Sequence, residues 1–120
     1  MRFFLSSKIH NAGVTEANLS YVGSITIDKE LMEKAGLNIG EKVLVVSNTS
    51  GARLDTYVIE GRRGSKIICM NGAAAHLIKK DEQIIIMGFE LATEPILPNI
   101  IVLNSENEIL DFKNIEKHSS

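Results

Sequence analysis

The sequence predicts a mainly β protein with short helices, folded as a closed or nearly closed barrel. Two observations carry this expectation. The apolar runs are short, rich in Val, Ile and Thr, and broken by Gly, Asn and Ser turn residues. Only two stretches, around Lys29–Ala35 and Ala73–Ile78, have helical character, and both are brief. With 120 residues, 44% of them apolar, the chain has the size of one domain over residues 1–120 and enough material for one core.

The elements follow in order. Arg2–His10 reads as the first strand and Ser24–Ile27 as the next. Asp28 then has the character of an N-cap for a helix over Lys29–Ala35, with Leu31, Met32 and Ala35 facing inward and Gly36 closing it. Lys42–Ser47 and Arg53–Glu60 are strands joined by a hairpin turn at Asn48-Thr49-Ser50-Gly51. Gly61–Ser65 leads to a strand at Lys66–Met70. A second helix spans Ala73–Ile78, and Lys79-Lys80 suit its C-terminal end. Gln83–Glu90 and Ile100–Asn104 complete the strands. The pattern weakens after Pro95 and Pro98, and 114–120 is expected to fray.

Composition narrows the function. A net charge of −2 disfavours nucleic acid as a partner. A single cysteine, Cys69, excludes an internal disulfide, fits a reducing compartment and reads as a small buried hydrophobe. The Phe3-Phe4-Leu5 run turns polar too soon for a secretory h-region, and no apolar run has the length of a membrane span, so a cytoplasmic location is expected. Three histidines, one cysteine and scattered carboxylates give no metal-ligand spacing.

Four stretches could carry chemistry. Gly23-Ser24 sits in Tyr21-Val22-Gly23-Ser24-Ile25-Thr26, where the Ser24 hydroxyl could attack the Gly23 carbonyl; Gly64-Ser65 repeats the dipeptide but reads as a plain turn. Asn71-Gly72-Ala73-Ala74-Ala75 has small residues beside a helix start, which suits an anion or an ordinary strand-to-helix turn. In Arg53-Leu54-Asp55-Thr56-Tyr57 an Arg can grip a carboxylate through two hydrogen bonds, and a phenol stays protonated near neutrality and can donate. The same stretch also suits a solvated Arg-Asp pair on an outer face. Strand alternation sets Arg53 and Tyr57 about 13 Å apart, with Thr56 on the other face. One site using all three needs a bulge, a bend or two subunits. Lys8 and His10 share a strand face, where Lys8 could bind an anion or simply end a strand in solvent. His76 and His118 read as surface residues.

Together and in this order, Lys8-Ile9-His10, Tyr21-Val22-Gly23-Ser24, Gly51-Ala52-Arg53-Leu54 with Thr56-Tyr57-Val58-Ile59, and Asn71-Gly72-Ala73-Ala74-Ala75 closely resemble the pyruvoyl-dependent aspartate 1-decarboxylases. The match runs from about Lys8 to about Phe89. The resemblance implies a double-psi β-barrel, a homotetramer with active sites at subunit interfaces, and decarboxylation of L-aspartate to β-alanine for pantothenate synthesis. It further implies self-cleavage between Gly23 and Ser24 into residues 1–23 (the β chain) and 24–120 (the α chain). Ser24 would become a pyruvoyl group, the covalent cofactor that takes up the substrate amine as a Schiff base. By the same resemblance, Gly23, Ser24, Thr56 and Asn71 serve processing, with Thr56 near the Gly23 carbonyl. Tyr57 is the proton donor, and Lys8, Arg53, Thr56, Gly72, Ala73 and Ala74 bind substrate. Whether a further factor assists cleavage is left open.

Overall fold

The computed structural model describes residues 1–113, the last three by backbone alone. The elements are β1 (Arg2–Gly13), β2 (Glu16–Asn18), β3 (Ser24–Asp28), α1 (Lys29–Ala35), β4 (Lys42–Ser47), β5 (Arg53–Gly61), β6 (Ile68–Asn71), α2 (Ala74–Leu77), β7 (Gln83–Ala92), β8 (Asn99–Leu103) and β9 (Ile109–Lys113). The strand order is β2-β6-β3-β5-β4-β7-β1-β8-β9. The chain itself joins the two sides of this order. At the corner between β1 and β2, the backbone N–H of Thr15 donates to Ile68 O at 2.8 Å. The Thr15 hydroxyl also accepts from Ile68 N at 3.0 Å. The first strand therefore runs beside β7, bends, and continues beside β6, which closes a barrel. Parallel pairings of β3 with β5 and of β2 with β6 cross the antiparallel pairing of β3 with β6. The mainly β fold with short helices, closed as a barrel, is as the sequence led one to expect.

Alternation explains the core. Val43 and Val45 of β4, Ile84 and Ile86 of β7, and Ile25 and Ile27 of β3 all point inward and are buried. Leu31, Met32 and Ala35 of α1 join the same cluster. The α1 caps are those read from sequence: the Asp28 side chain accepts from Glu30 N, and Gly36 adopts φ 77°.

Two departures from the expected elements have local causes. β1 runs three residues past His10 because its register shifts between Ile9 and Ala12, where Asn11 adopts φ 70°. That extra residue breaks the two-residue alternation. β6 begins at Ile68 rather than Lys66, because Lys66 has φ 61° and its N–H donates to Asp28 Oδ2 at 2.8 Å. Helix α2 is trimmed at both ends. β2, with three residues, and β9 were not foreseen. The expected fraying of 114–120 and the placement of His118 lie outside the described residues; His76 is exposed. No helix among the described residues is long and apolar enough to cross a membrane.

Two buried carboxylates hold the loops. Asp28 caps α1 and also accepts from Gly64 N at 2.9 Å and Lys66 N at 2.8 Å, so it ties the β5–β6 connection to the end of β3. Glu82 accepts from Ser47 Oγ at 2.6 Å, Ser50 Oγ at 2.9 Å and Lys79 N at 2.9 Å. Burial pushes the Glu82 carboxyl up, but the hydrogen bonds from Ser47, Lys79 N and Ser50 and the Lys79 charge outweigh it and leave the carboxyl below its ordinary value. A group with a depressed folded-state pKa contributes stability above its unfolded pKa and loses it as pH falls through the folded value. In Glu82→Gln the amide nitrogen must face either Lys79 N–H, a donor, or the two serine hydroxyls, whose donated bonds are then lost, which is expected to cost about 2 kcal/mol at pH 7 in urea unfolding. The gap to wild type should shrink as the pH is lowered below 4.5, the ordinary value for a glutamate carboxyl. A gap that does not change with pH would show that Glu82 is not held as a carboxylate.

Candidate active site

Strands β3 and β6 run antiparallel, with Ser24 opposite Asn71 and Thr26 opposite Cys69. Alternate residues share a face. Ile25, Ile27, Ile68 and Met70 join the apolar core, and Ser24, Thr26, Cys69 and Asn71 form a small polar square on the other side. Ser24 is 0% exposed. Its hydroxyl donates to Val22 O at 3.0 Å and accepts from Asn71 Nδ2 at 3.0 Å. The second Nδ2 hydrogen goes to Thr26 Oγ1 at 2.9 Å. The Cys69 thiol donates to Asn71 Oδ1 at 3.2 Å. Burial, aided by the charge of Glu16 and opposed by a backbone hydrogen bond from Asn18, pushes the Cys69 thiol up, so it stays protonated and able to donate.

The turn after Asn71 presses on the Gly23 backbone. Gly72 has φ 65°, and a Cβ there would lie 2.8 Å from Gly23 N, Gly23 Cα and Tyr21 O. Only glycine meets both the backbone angle and the approach. The second Gly-Ser pair has no such company. At Gly64 a Cβ would meet open space, and the Ser65 hydroxyl donates to Arg62 O within its own turn.

Beside Gly23 lies a pocket of about 390 Å³ lined by Gly23, Leu54, Asp55, Thr56, Tyr57, Ala73, Ala74 and Leu77. Strand β3 pairs with β5 only from Ile25 opposite Val58 onward. The earlier part of β5 therefore meets the pocket along an edge, which side chains of both faces can reach. This resolves the alternation problem for Thr56 and Tyr57 without a bulge. Gly23 and Thr56 line this pocket together. Ala73 and Ala74 sit at the start of α2, where the first N–H groups have no intrahelical acceptor.

The structure thus gathers Gly23, Ser24, Thr56, Tyr57, Asn71, Gly72, Ala73 and Ala74. Within one chain it does not bring in Arg53 or Lys8. Arg53, the first residue of β5, is exposed, pairs with Val46 and is not among the residues that line the pocket. Lys8 is half-buried in β1, between Met87 of β7 and Ile100 of β8. His10 shares that strand, and its buried Nδ1 has no hydrogen-bond partner among the described residues. Sequence reasoning missed Val22, Thr26, Leu54, Asp55 and Leu77 as site residues, and took Cys69 only as a buried hydrophobe. Cys69 is buried but stands outside the core cluster. The parity of Thr26 with Ser24, and of Cys69 with Asn71, was the available signal. Another hollow of about 310 Å³, lined by Phe3, Lys42, Val43, Leu44, Asp55 and Phe89, holds no comparable nucleophile. Among the described residues no group of three His, Cys, Asp or Glu side chains could hold a metal ion.

Residues 1–110 match the family model described as aspartate decarboxylase. The chain belongs to the aspartate decarboxylase family. Aspartate 1-decarboxylase of Caldicellulosiruptor saccharolyticus is 52% identical over 119 residues, covering 96% of this chain and 93% of that protein. The aspartate 1-decarboxylase of Bacillus pumilus is 50% identical, covering 90% and 88%. That of Bacillus cereus is 48% identical, covering 97% and 94%. Among solved structures, the rationally designed mkDPBB_sym_86 protein matches with a TM-score of 0.49 and 23% identity over 70% of this chain and 91% of that one, a likeness too loose to add to the family match.

For this aspartate decarboxylase family member, Gly72→Ala is expected to cost about 2 kcal/mol through the positive φ and the clash with Gly23. That corresponds to a melting temperature lower by about 8 °C. An unchanged melting temperature would mean that the Tyr21–Gly23 segment is free to move away from the turn.

Proposed function

We propose that this chain decarboxylates L-aspartate to β-alanine and CO2 by means of a pyruvoyl group made from its own Ser24. The observation that carries this is the buried Ser24 hydroxyl, held on both sides beside Gly23 at a pocket, in a member of the aspartate decarboxylase family. The residues fit the group, since a pyruvoyl needs a serine whose hydroxyl is held beside the preceding carbonyl, and the Ser24 hydroxyl is buried and fixed by Val22 O and Asn71.

Processing then runs as follows. Ser24 Oγ attacks the Gly23 carbonyl carbon, its proton passes to the Ser24 nitrogen, and the C–N bond breaks. An ester now links Gly23 to the Ser24 side chain. Loss of the Ser24 Cα proton expels the Gly23 carboxylate and leaves dehydroalanine. Addition of water and release of ammonia leave the pyruvoyl end on residues 24–120, with residues 1–23 as the other piece. Thr56, which lines the pocket together with Gly23, stabilises charge on the attacked carbonyl oxygen. Asn71 holds Oγ in line.

When present, the pyruvoyl supplies a ketone that binds the substrate amine and accepts electrons as CO2 leaves. The chain's own groups do the rest. Tyr57, 38% exposed and lining the pocket, delivers a proton to the substrate Cα. The N–H groups of Ala73 and Ala74 hold a substrate carboxylate. Leu54 and Leu77 narrow the pocket and displace water. The Asp55 carboxylate on the β5 wall repels the substrate's carboxylates and turns them toward the α2 end. Arg53 and Lys8 come from a neighbouring subunit of a homotetramer, where Arg53 supplies a two-pronged grip.

Mass spectrometry of the denatured protein tests this reading. Two pieces divided between Gly23 and Ser24 are expected, the larger beginning with pyruvoyl, together with CO2 release that is fastest for aspartate among aspartate, glutamate and cysteate. Ser24→Ala should remain one inactive piece, and cleavage in that variant would sink the self-processing step. Tyr57→Phe should cleave normally yet turn over at least about 100-fold more slowly. Near-normal turnover would remove Tyr57 as the proton donor.

A further inference from the structure

The side-chain amide of Asn71 has two orientations of nearly equal shape, and only one suits the Ser24 hydroxyl. With Nδ2 toward β3, the amide donates to both Ser24 Oγ and Thr26 Oγ1, at 3.0 Å and 2.9 Å. Ser24 then has its own hydrogen committed to Val22 O. Turned over, the amide would present Oδ1 to both hydroxyls. Ser24 could then donate to Asn71 instead of Val22, and the Oγ lone pairs would lose their fixed direction. Neither hydroxyl forbids this, because each can donate or accept.

Cys69 breaks the tie. Its Sγ lies 3.2 Å from Asn71 Oδ1, closer than its 3.7 Å to Met70 O. Facing Nδ2 instead, the thiol would have to turn its S–H to the more distant Met70 O and accept through sulfur, a weak acceptor, so the flipped amide is the poorer arrangement. Cys69 lies opposite Thr26, so the cross-strand register that pairs Ser24 with Asn71 also delivers the thiol. We infer that Cys69 is a positioning residue for self-cleavage, donating its S–H to Asn71 Oδ1 and so fixing the amide that aims Ser24 Oγ at the Gly23 carbonyl. This rests on the reading of Ser24 as the cleavage nucleophile. Cys69 touches neither the scissile bond nor the substrate pocket, so its effect belongs to processing and not to turnover.

The test follows cleavage of freshly made full-length chain by intact mass over time, beside melting temperature and, once cleaved, kcat. Cys69→Ala and Cys69→Val remove the donor, the first with a smaller side chain and the second with a larger one; Cys69→Ser keeps a donor. The donor-less variants should cleave roughly tenfold more slowly, the worth of one hydrogen bond. Cys69→Ser should cleave within about threefold of wild type, and kcat per cleaved chain should be unchanged in all three. Wild-type cleavage rates in Ala or Val, or rates that follow melting temperature whether or not a donor is present, would overturn the inference. If Ala does not fold, the contrast between Val and Ser decides alone. A wild-type chain that stays whole would overturn the Ser24 reading first, and this inference with it.

Discussion

Ser24 of β3 stands opposite Asn71 of β6, and the rest of the site depends on that one register. It lets an amide reach a serine hydroxyl far away in sequence. It puts the Gly72 turn against the Gly23 backbone, with no room for a Cβ. It also starts α2 beside the pocket into which Thr56 and Tyr57 come from β5. A slip by one residue would send Ser24 and Asn71 to opposite faces and put the polar groups into the apolar core. The isoleucines around them, buried on the other face of the same strands, make that slip costly.

The buried carboxylates protect this arrangement from both ends. Asp28 closes β3 and holds the loop that leads into β6, so the two strands of the central pair share an anchor. Glu82 binds the exit of α2, through Lys79 N, to the β4–β5 turn, through Ser47 and Ser50. The two walls of the pocket, α2 and β5, are thereby tied together away from the pocket itself. Both carboxylates accept three hydrogen bonds, which offsets the cost of burying charge.

Much of this was legible in the chain. The α1 helix and its two caps were readable because capping is local chemistry: Asp28 and Gly36 act within a turn of the residues they serve. The strands from Lys42 to Glu60 and their hairpin were readable for the same reason. The motifs around Gly23-Ser24, Thr56-Tyr57 and Asn71–Ala75 marked the site, and their order matched the family. Less legible were β1 beyond His10 and the start of β6, where left-handed Asn11 and Lys66 break alternation without a glycine to announce it. The short β2 has no period to read, since three residues exist as a strand only because β6 lies beside them.

The sequence by itself determined the chemistry on offer: a serine after a glycine, a phenol, a small-residue turn, and a barrel-forming pattern of short apolar runs. These are properties of residues and near neighbours. Only the tertiary structure decided which of them meet. It separated Gly23-Ser24 from the identical Gly64-Ser65, one facing Asn71 and the other an exposed turn. It enlisted Thr26 and Cys69, and it left Arg53 and Lys8 away from the pocket of their own chain. The reason is physical. Alternation fixes which face a side chain takes, but cross-strand register is set by the packing of the whole barrel, and a hydrogen bond between residues 24 and 71 exists only once that packing is complete.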